Sequence, residues 1–299
     1  MNQETQQGAG ASSASAATSI QPTREPTVIA PLDGSVEAIA ALPIARVLAE
    51  LERATLHVVH VGEPILPPGE LLHVLRLARE QVRGLVIAQA GGAPAAGIVR
   101  LASEWQSLLI AMCTHTNLAG AEGELGSVAE RVLREAPCPV LLVRPELGSR
   151  PRALRRIVLP HDGTPTTAAA LQPAVDLVGR SGAELDVLHV AAAAASHPAE
   201  PGTLAAPQYL DQPQHEWPVW TREFLERILS LCHCPPAVQV RLFLRAGEPG
   251  AEIVRFARER QSDLIVLAWR GYLDRERAGT LRIVIRDAPC PMLILRVAA

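Results

Sequence analysis

Ala30-Pro31-Leu32-Asp33-Gly34-Ser35 returns in altered form as Leu159-Pro160-His161-Asp162-Gly163-Thr164. The next apolar run, Leu56-His57-Val58-Val59-His60-Val61, returns as Leu185-Asp186-Val187-Leu188-His189-Val190. Asp33 and Asp162, like His60 and His189, are separated by the same offset of 129 residues. A third pair closes each copy, Ala136-Pro137-Cys138-Pro139-Val140-Leu141-Leu142-Val143 and Ala288-Pro289-Cys290-Pro291-Met292-Leu293-Ile294-Leu295. The chain therefore reads as a tandem duplication. Its 299 residues suit two domains of about 100–150 residues each.

Within each copy, short apolar strands alternate with helical stretches. The strands read Val28–Pro31, Thr55–Val61, Leu85–Gln89, Leu108–Met112 and Val140–Arg144 in the first copy. In the second they read Arg156–Leu159, Glu184–Val190, Val238–Leu244, Leu264–Ala268 and Met292–Arg296. Continuous apolar strands between helices such as Val36–Leu51, Ala93–Glu104, Thr166–Gly179 and Gly250–Arg260 predict an α/β fold, a parallel sheet covered on both faces. Pro43 and Pro173 fall inside the first helix of each copy, so that helix should kink or start late. The expected boundaries are a disordered tail over 1–25, a first domain over 26–146, a linker over 147–153 and a second domain over 154–299. The second domain carries an insertion near 191–237 that holds Tyr209, Trp217, Trp220 and Phe224.

Composition excludes several chemistries. Lys is absent, so all 28 basic side chains are Arg. A Walker phosphate loop and a Schiff-base enzyme each need a Lys, and Arg stays protonated. The formal net charge of −3 implies no broad basic surface for nucleic acid. No run approaches the ~20 apolar residues of a membrane span, and the first two dozen residues lack the layout of a signal peptide. The five Cys form no CxxC pair, which points to free thiols in a reducing, cytoplasmic setting.

The Val-x-x-x-Asp-Gly-Ser turn, the strand ending His-Val, and Gly-Ser followed by a helix and Ala-Pro-Cys-Pro-Val-Leu-Leu-Val resemble the universal stress protein family. Two such domains in tandem would cover nearly everything from Pro26 onward. The resemblance implies two tandem open parallel five-stranded sheets of strand order 3-2-1-4-5, as in the adenine nucleotide alpha hydrolase-like folds. Ligands would bind beyond the carboxyl ends of the strands, where the order reverses. It also implies that the two copies associate within the chain as a pseudo-dimer, through their fifth strands Val140–Val143 and Met292–Leu295.

In the ATP-binding branch of that family the loop after the fourth strand reads Gly-x2-Gly-x9-Gly-Ser/Thr. Glycines admit phosphates to the backbone, and the helix that follows favours anions at its amino end. The residues this resemblance assigns to an adenine nucleotide are Asp33, Val61, Gly126 and Ser127 in the first copy. In the second they are Asp162, Val190, Gly271, Gly279 and Thr280. Both loops depart from the pattern. Cys113 and Thr116 replace two glycines in copy one; Ala268 replaces one in copy two, and Gly279-Thr280 follows after a shortened spacing. ATP is thus the candidate cofactor, with weak and unequal binding expected.

Each candidate has a structural reading beside the functional one. An Asp-Gly turn caps the following helix, and Ser127 and Thr280 read as helix caps whether or not an anion binds. His60 and His189 lack spaced partners and read as structural rather than metal-binding. Trp217, Trp220, Phe224, Ile228 and Leu231 follow helical spacing, so packing is favoured over an acid–base role for His215 and Glu216. Cys232-His233-Cys234 could hold zinc with His215, but one short cluster is a weak signal and no metal is assigned.

Two functions remain open: a nucleotide-responsive regulatory module, or a nucleotide-free protein-interaction scaffold. An enzyme of the same fold group, such as an adenylyl transferase, would need a His-x-x-His or Lys-Ser signature that this sequence lacks, so no catalytic residue is assigned.

Overall fold

A computed structural model describes residues 25–114, 125–148, 153–191, 203, 213–271 and 278–297. The side chains of Arg79, Ala278 and residues 213–221 fall outside the described set, as do residues 1–24 of the expected 1–25 tail and Tyr209.

The first half runs β1 (Thr27–Pro31), a 3-10 turn (Ala38–Ala41), α1 (Leu42–Leu51), β2 (Thr55–Val61), α2 (Pro68–Val74), α3 (Arg79–Val82), β3 (Val86–Ala90), α4 (Pro94–Glu104), β4 (Leu109–Cys113), α5 (Ser127–Glu135) and β5 (Val140–Val143). The second half runs β6 (Arg156–Pro160), α6 (Pro165–Ala168), α7 (Leu171–Ser181), β7 (Glu184–Ala191), α8 (Pro213–Ser230), β8 (Gln239–Ala246), α9 (Pro249–Glu259), β9 (Leu264–Trp269), α10 (Ala278–Asp287) and β10 (Met292–Arg296). The prolines act as expected. Pro43 sits in the first turn of α1 after the separate 3-10 turn, and in the second half α6 and α7 are likewise separate pieces. A proline ring is tolerated in a first turn, where its missing N–H costs nothing.

The ten strands among the described residues form one sheet in the order β3-β2-β1-β4-β5-β10-β9-β6-β7-β8. Each half has the order 3-2-1-4-5 and is parallel throughout. The halves meet where β5 and β10 pair antiparallel, Leu141 opposite Leu293 and Val140 opposite Ile294. Edge strands this apolar would otherwise template association with other chains. One face of the sheet is covered by α1, α2, α7 and α8 and the other by α4, α5, α9 and α10, and each buried cluster runs across the seam.

The seam carries a reciprocal pair of contacts. Arg144 of the first half donates to Ala288 O at 3.1 Å, and Arg296 of the second reaches Ala136 O at 3.5 Å. Each guanidinium thus meets a carbonyl at the carboxyl end of the other half's last helix, where orphan acceptors and the helix dipole favour a cation. Arg180 on α7 also pairs with Glu52 beyond α1 at 2.7 Å.

Candidate functional site

Asp33 and Asp162 leave the first strand of each half in the same turn. Asp33 Oδ1 accepts from Ser35 N–H at 2.9 Å and from Ser35 Oγ at 2.5 Å, and Ser35 Oγ accepts from Ala38 N–H at 3.2 Å. Asp162 Oδ1 accepts from Thr164 N–H at 2.9 Å, Thr164 Oγ1 at 2.6 Å and Thr167 Oγ1 at 2.8 Å. Thr164 caps α6 by accepting from Thr167 N–H. The glycine between is required: Gly34 and Gly163 have φ of +89° and +87°, and a Cβ on Gly34 would lie 2.6 Å from Val74 O. Burial raises the Asp162 carboxyl, but the Thr164 hydroxyl and N–H, the Thr167 hydroxyl and His161 outweigh it and hold the pKa below 3.8.

The strand-ending histidines pin this turn. His60 Nδ1 bonds Leu32 O at 2.9 Å and His189 Nδ1 bonds His161 O at 2.9 Å, so each ties β2 or β7 to the exit of its neighbour. Val61, buried, and Val190, half-buried, stand one residue on, at the carboxyl edge.

The switch points lie between β1 and β4 and between β6 and β9, which pair directly. In the first half, Cys113 ends β4 with its thiol turned inward, donating to Glu37 O at 2.8 Å. Burial pushes it up to about 12, so it is an inert packing thiol filling the gap beside the 3-10 turn. Thr116 lies outside the described residues. In the second half, Ala268 occupies the place of Cys113, and Gly271 follows with φ +87°.

The helix caps differ from the sequence expectation. Gly126 is the N-cap of α5, its N–H donating to Thr114 O at 2.8 Å, and Ser127 is already the first helical residue. Gly279 and Thr280 are the second and third residues of α10. Neither hydroxyl residue is a cap, because the backbone turns helical one to three positions earlier than the Gly-Ser/Thr pattern suggests.

The second half differs from the first in having a histidine before its Asp. His161 is 2% exposed. Its Nδ1 accepts from Gly163 N–H at 2.9 Å, which assigns the proton to Nε2, and Nε2 has no hydrogen-bond partner among the described residues. Phe224 of α8 packs edge-on against both rings, 5.6 Å from His161 and 5.4 Å from His189. The expected aromatic packing of the insertion is seen at Phe224 and Ile228, both buried. The side chains of His215, Glu216, Trp217 and Trp220 lie outside the described residues. Leu231 does not continue the stripe; it is 61% exposed because α8 stops at Ser230 and the helical period ends with it.

This arrangement makes the second half acid-sensitive. Burial lowers His161 to about 4, Asp162 opposing and His189 adding to the shift, and burial also lowers His189. A histidine held neutral in the folded state binds its proton only after unfolding. Its contribution is therefore complete above about 6.5 and is lost as pH falls to about 4, worth about 3 kcal/mol for a shift of this size. The urea midpoint is expected to fall through that window, and His161→Gln, which can still accept from Gly163, should flatten the slope. An unchanged slope in that variant would reject His161 as its source.

A model described as the universal stress protein family matches residues 67–144 and 153–296. A universal stress protein of Thermus aquaticus is 38% identical over 136 residues, covering 40% of this chain and 98% of that protein. A universal stress protein of Methanocaldococcus jannaschii is 25% identical over 147 residues, covering 48% and 82%. The crystal structure of a universal stress protein from Archaeoglobus fulgidus superposes with a TM-score of 0.60 at 17% identity, covering 92% of this chain and 99% of that one. A functionally unknown protein from Pseudomonas aeruginosa superposes at 0.65 and 17%, covering 91% and 93%. These two matches speak to the fold.

Proposed function

The chain belongs to the universal stress protein family, and from that premise we propose a non-catalytic, cytoplasmic stress-response regulatory module whose second half takes an adenine nucleotide. The observation that carries this reading is Gly271. Its left-handed backbone stands at the turn after β9, ahead of α10, where an approach without Cβ atoms favours phosphate. Asp162 and Val190 stand at the same carboxyl edge, and the fused halves act as a built-in pseudo-dimer. Five free cysteines suit a reducing compartment. Among the described residues no helix is long and apolar enough to cross a membrane.

Equilibrium dialysis of the whole chain against labelled ATP tests this. One site per chain is expected. Gly271→Ala should weaken it about tenfold, since a left-handed conformation costs an L-residue about 1–2 kcal/mol. Cys113→Gly with Thr116→Gly should add binding in the first half if crowding is what closes it. Absence of saturable ATP binding would sink the reading.

The second reading is a nucleotide-free interaction scaffold of the same fold. The engagement of Asp33 and Asp162 by their own turns favours it, because neither Oδ1 is free to meet a ligand.

A further inference from the structure

β10 ends on Arg296, and the register that sets Arg296 opposite Trp269 brings it to the exit of β9. Val297 N–H donates to Trp269 O at 2.9 Å and holds the two exits together. Two residues past β9 the chain turns at Gly271, with φ of +87°. The guanidinium of Arg296 lies on the side of this glycine where an L-residue would carry its side chain. A Cβ built there would stand 3.4 Å from Nε, 3.6 Å from Nη2 and 3.8 Å from Cζ. Arg296 is otherwise exposed, and among the described residues its hydrogen bonding is limited to the 3.5 Å reach to Ala136 O. No carboxylate among the described residues pairs with it. Arg144 holds the matching place in the first half, and there Glu146 pairs with it at 3.4 Å. The second half has Ala298 where the first has Glu146.

We propose that Arg296 is the residue by which the second-half site selects a nucleoside polyphosphate over a monophosphate, an inference that rests on the nucleotide reading above. The sheet order sets the distances. Val190 on β7, Asp162 after β6, Gly271 after β9 and Arg296 on β10 stand on four consecutive strands at one carboxyl edge. From β7 to β10 is three strand spacings, about 14 Å. With adenine at Val190, the phosphate chain runs past Asp162 toward Gly271, and Arg296 stands at its far end. It therefore meets the outermost phosphates, which a monophosphate lacks. A guanidinium suits that place, because it stays charged and its N–H fork matches phosphate oxygens in bidentate geometry. One long carbonyl contact leaves most of its donors for a ligand. In the first half Glu146 already answers the charge of Arg144, so the same attraction is not offered there.

The test measures binding of ATP, AMP and inorganic tripolyphosphate to the whole chain by calorimetry. The parent should prefer ATP to AMP and should bind tripolyphosphate. Arg296→Ala should weaken ATP and tripolyphosphate at least about tenfold, the fold-change that one charge-assisted hydrogen bond supplies, and leave AMP within about twofold. Arg144→Ala loses the equivalent contact across the seam and should bind all three as the parent does, which separates a charge effect from a loosened seam. Equal weakening of ATP and AMP in Arg296→Ala, or the same loss in Arg144→Ala, would overturn the proposal. ATP bound equally well by the parent and Arg296→Ala would also overturn it while leaving the nucleotide reading intact. Tripolyphosphate held through Arg296 with ATP bound no more tightly would do the reverse, keeping the phosphate role of Arg296 and removing the adenine. A parent that binds neither ATP nor tripolyphosphate would overturn both.

Discussion

Replacing Phe224 with alanine is expected to destabilise the second half by ~3–5 kcal/mol, the usual cost of truncating a buried aromatic. Phe224 is 2% exposed and fills the space between α8 and the sheet. Its ring lies against His161 and His189, which fix the turn at the carboxyl end of β6. Truncation would leave a cavity and open a path for water to two buried imidazoles. The loss should therefore be smaller at pH 5 than at pH 8, since rings reached by water can take up their protons in the folded state and no longer penalise it in acid. Urea unfolding at the two pH values measures this, with hydrogen exchange locating the loss in β6, β7 and α8. A loss below about 1 kcal/mol would mean that the site collapses around the gap and that α8 is held elsewhere.

Asp186→Ala is expected to be as damaging, for an electrostatic reason. Asp186 is fully buried, and its Oδ2 accepts from Arg260 Nε at 3.0 Å with Arg156 Nε 3.7 Å away. Arg156 also pairs with Glu184 at 3.5 Å, and Arg260 lies 5.0 Å from the centre of the Phe243 ring. Removing the carboxylate leaves Arg260 without its carboxylate partner and Arg156 with Glu184 alone, at about 3 kcal/mol, the low end of the usual cost because both guanidiniums keep some contact with solvent. The first half shows another solution at the same place. Thr27, His57 and Trp105 occupy the positions of Arg156, Asp186 and Arg260, with the His57 and Trp105 rings buried 4.9 Å apart. Grafting that set as Arg156→Thr, Asp186→His and Arg260→Trp should recover most of the loss, because a buried ion pair and a well-packed apolar set are often close in stability. If the triple variant is no more stable than Asp186→Ala, the two halves are not interchangeable here and the ionic network contributes more than its replacement.

Much of the fold was legible in the chain. The recurrence of the Asp-Gly turn and of Ala-Pro-Cys-Pro fixed two copies. Continuous apolar strands called for a sheet covered on both faces, and Pro43 and Pro173 marked a first helix that kinks or starts late. These are local properties: side-chain period, ring geometry and the left-handed turn that only glycine meets cheaply. The candidate site was less legible. Sequence located Asp33, Asp162 and Gly271 at strand ends, but not that both carboxylates are already engaged by neighbouring hydroxyls, nor that Cys113 turns inward. A hydrogen bond between residues 76 apart, such as Cys113 to Glu37, leaves no periodic trace.

By itself, then, the sequence determined the duplication, the alternation of strands and helices and the places where the chain must turn, because each depends on residues close along the backbone. Only the tertiary structure decided that Ser127 and Thr280 are not helix caps and that Phe224 covers the two histidines. It alone decided the antiparallel register in which β5 meets β10. That seam joins residues about 150 positions apart, its Arg144 and Arg296 each reaching a helix end in the other half, and such pairing depends on where two finished domains present their edges.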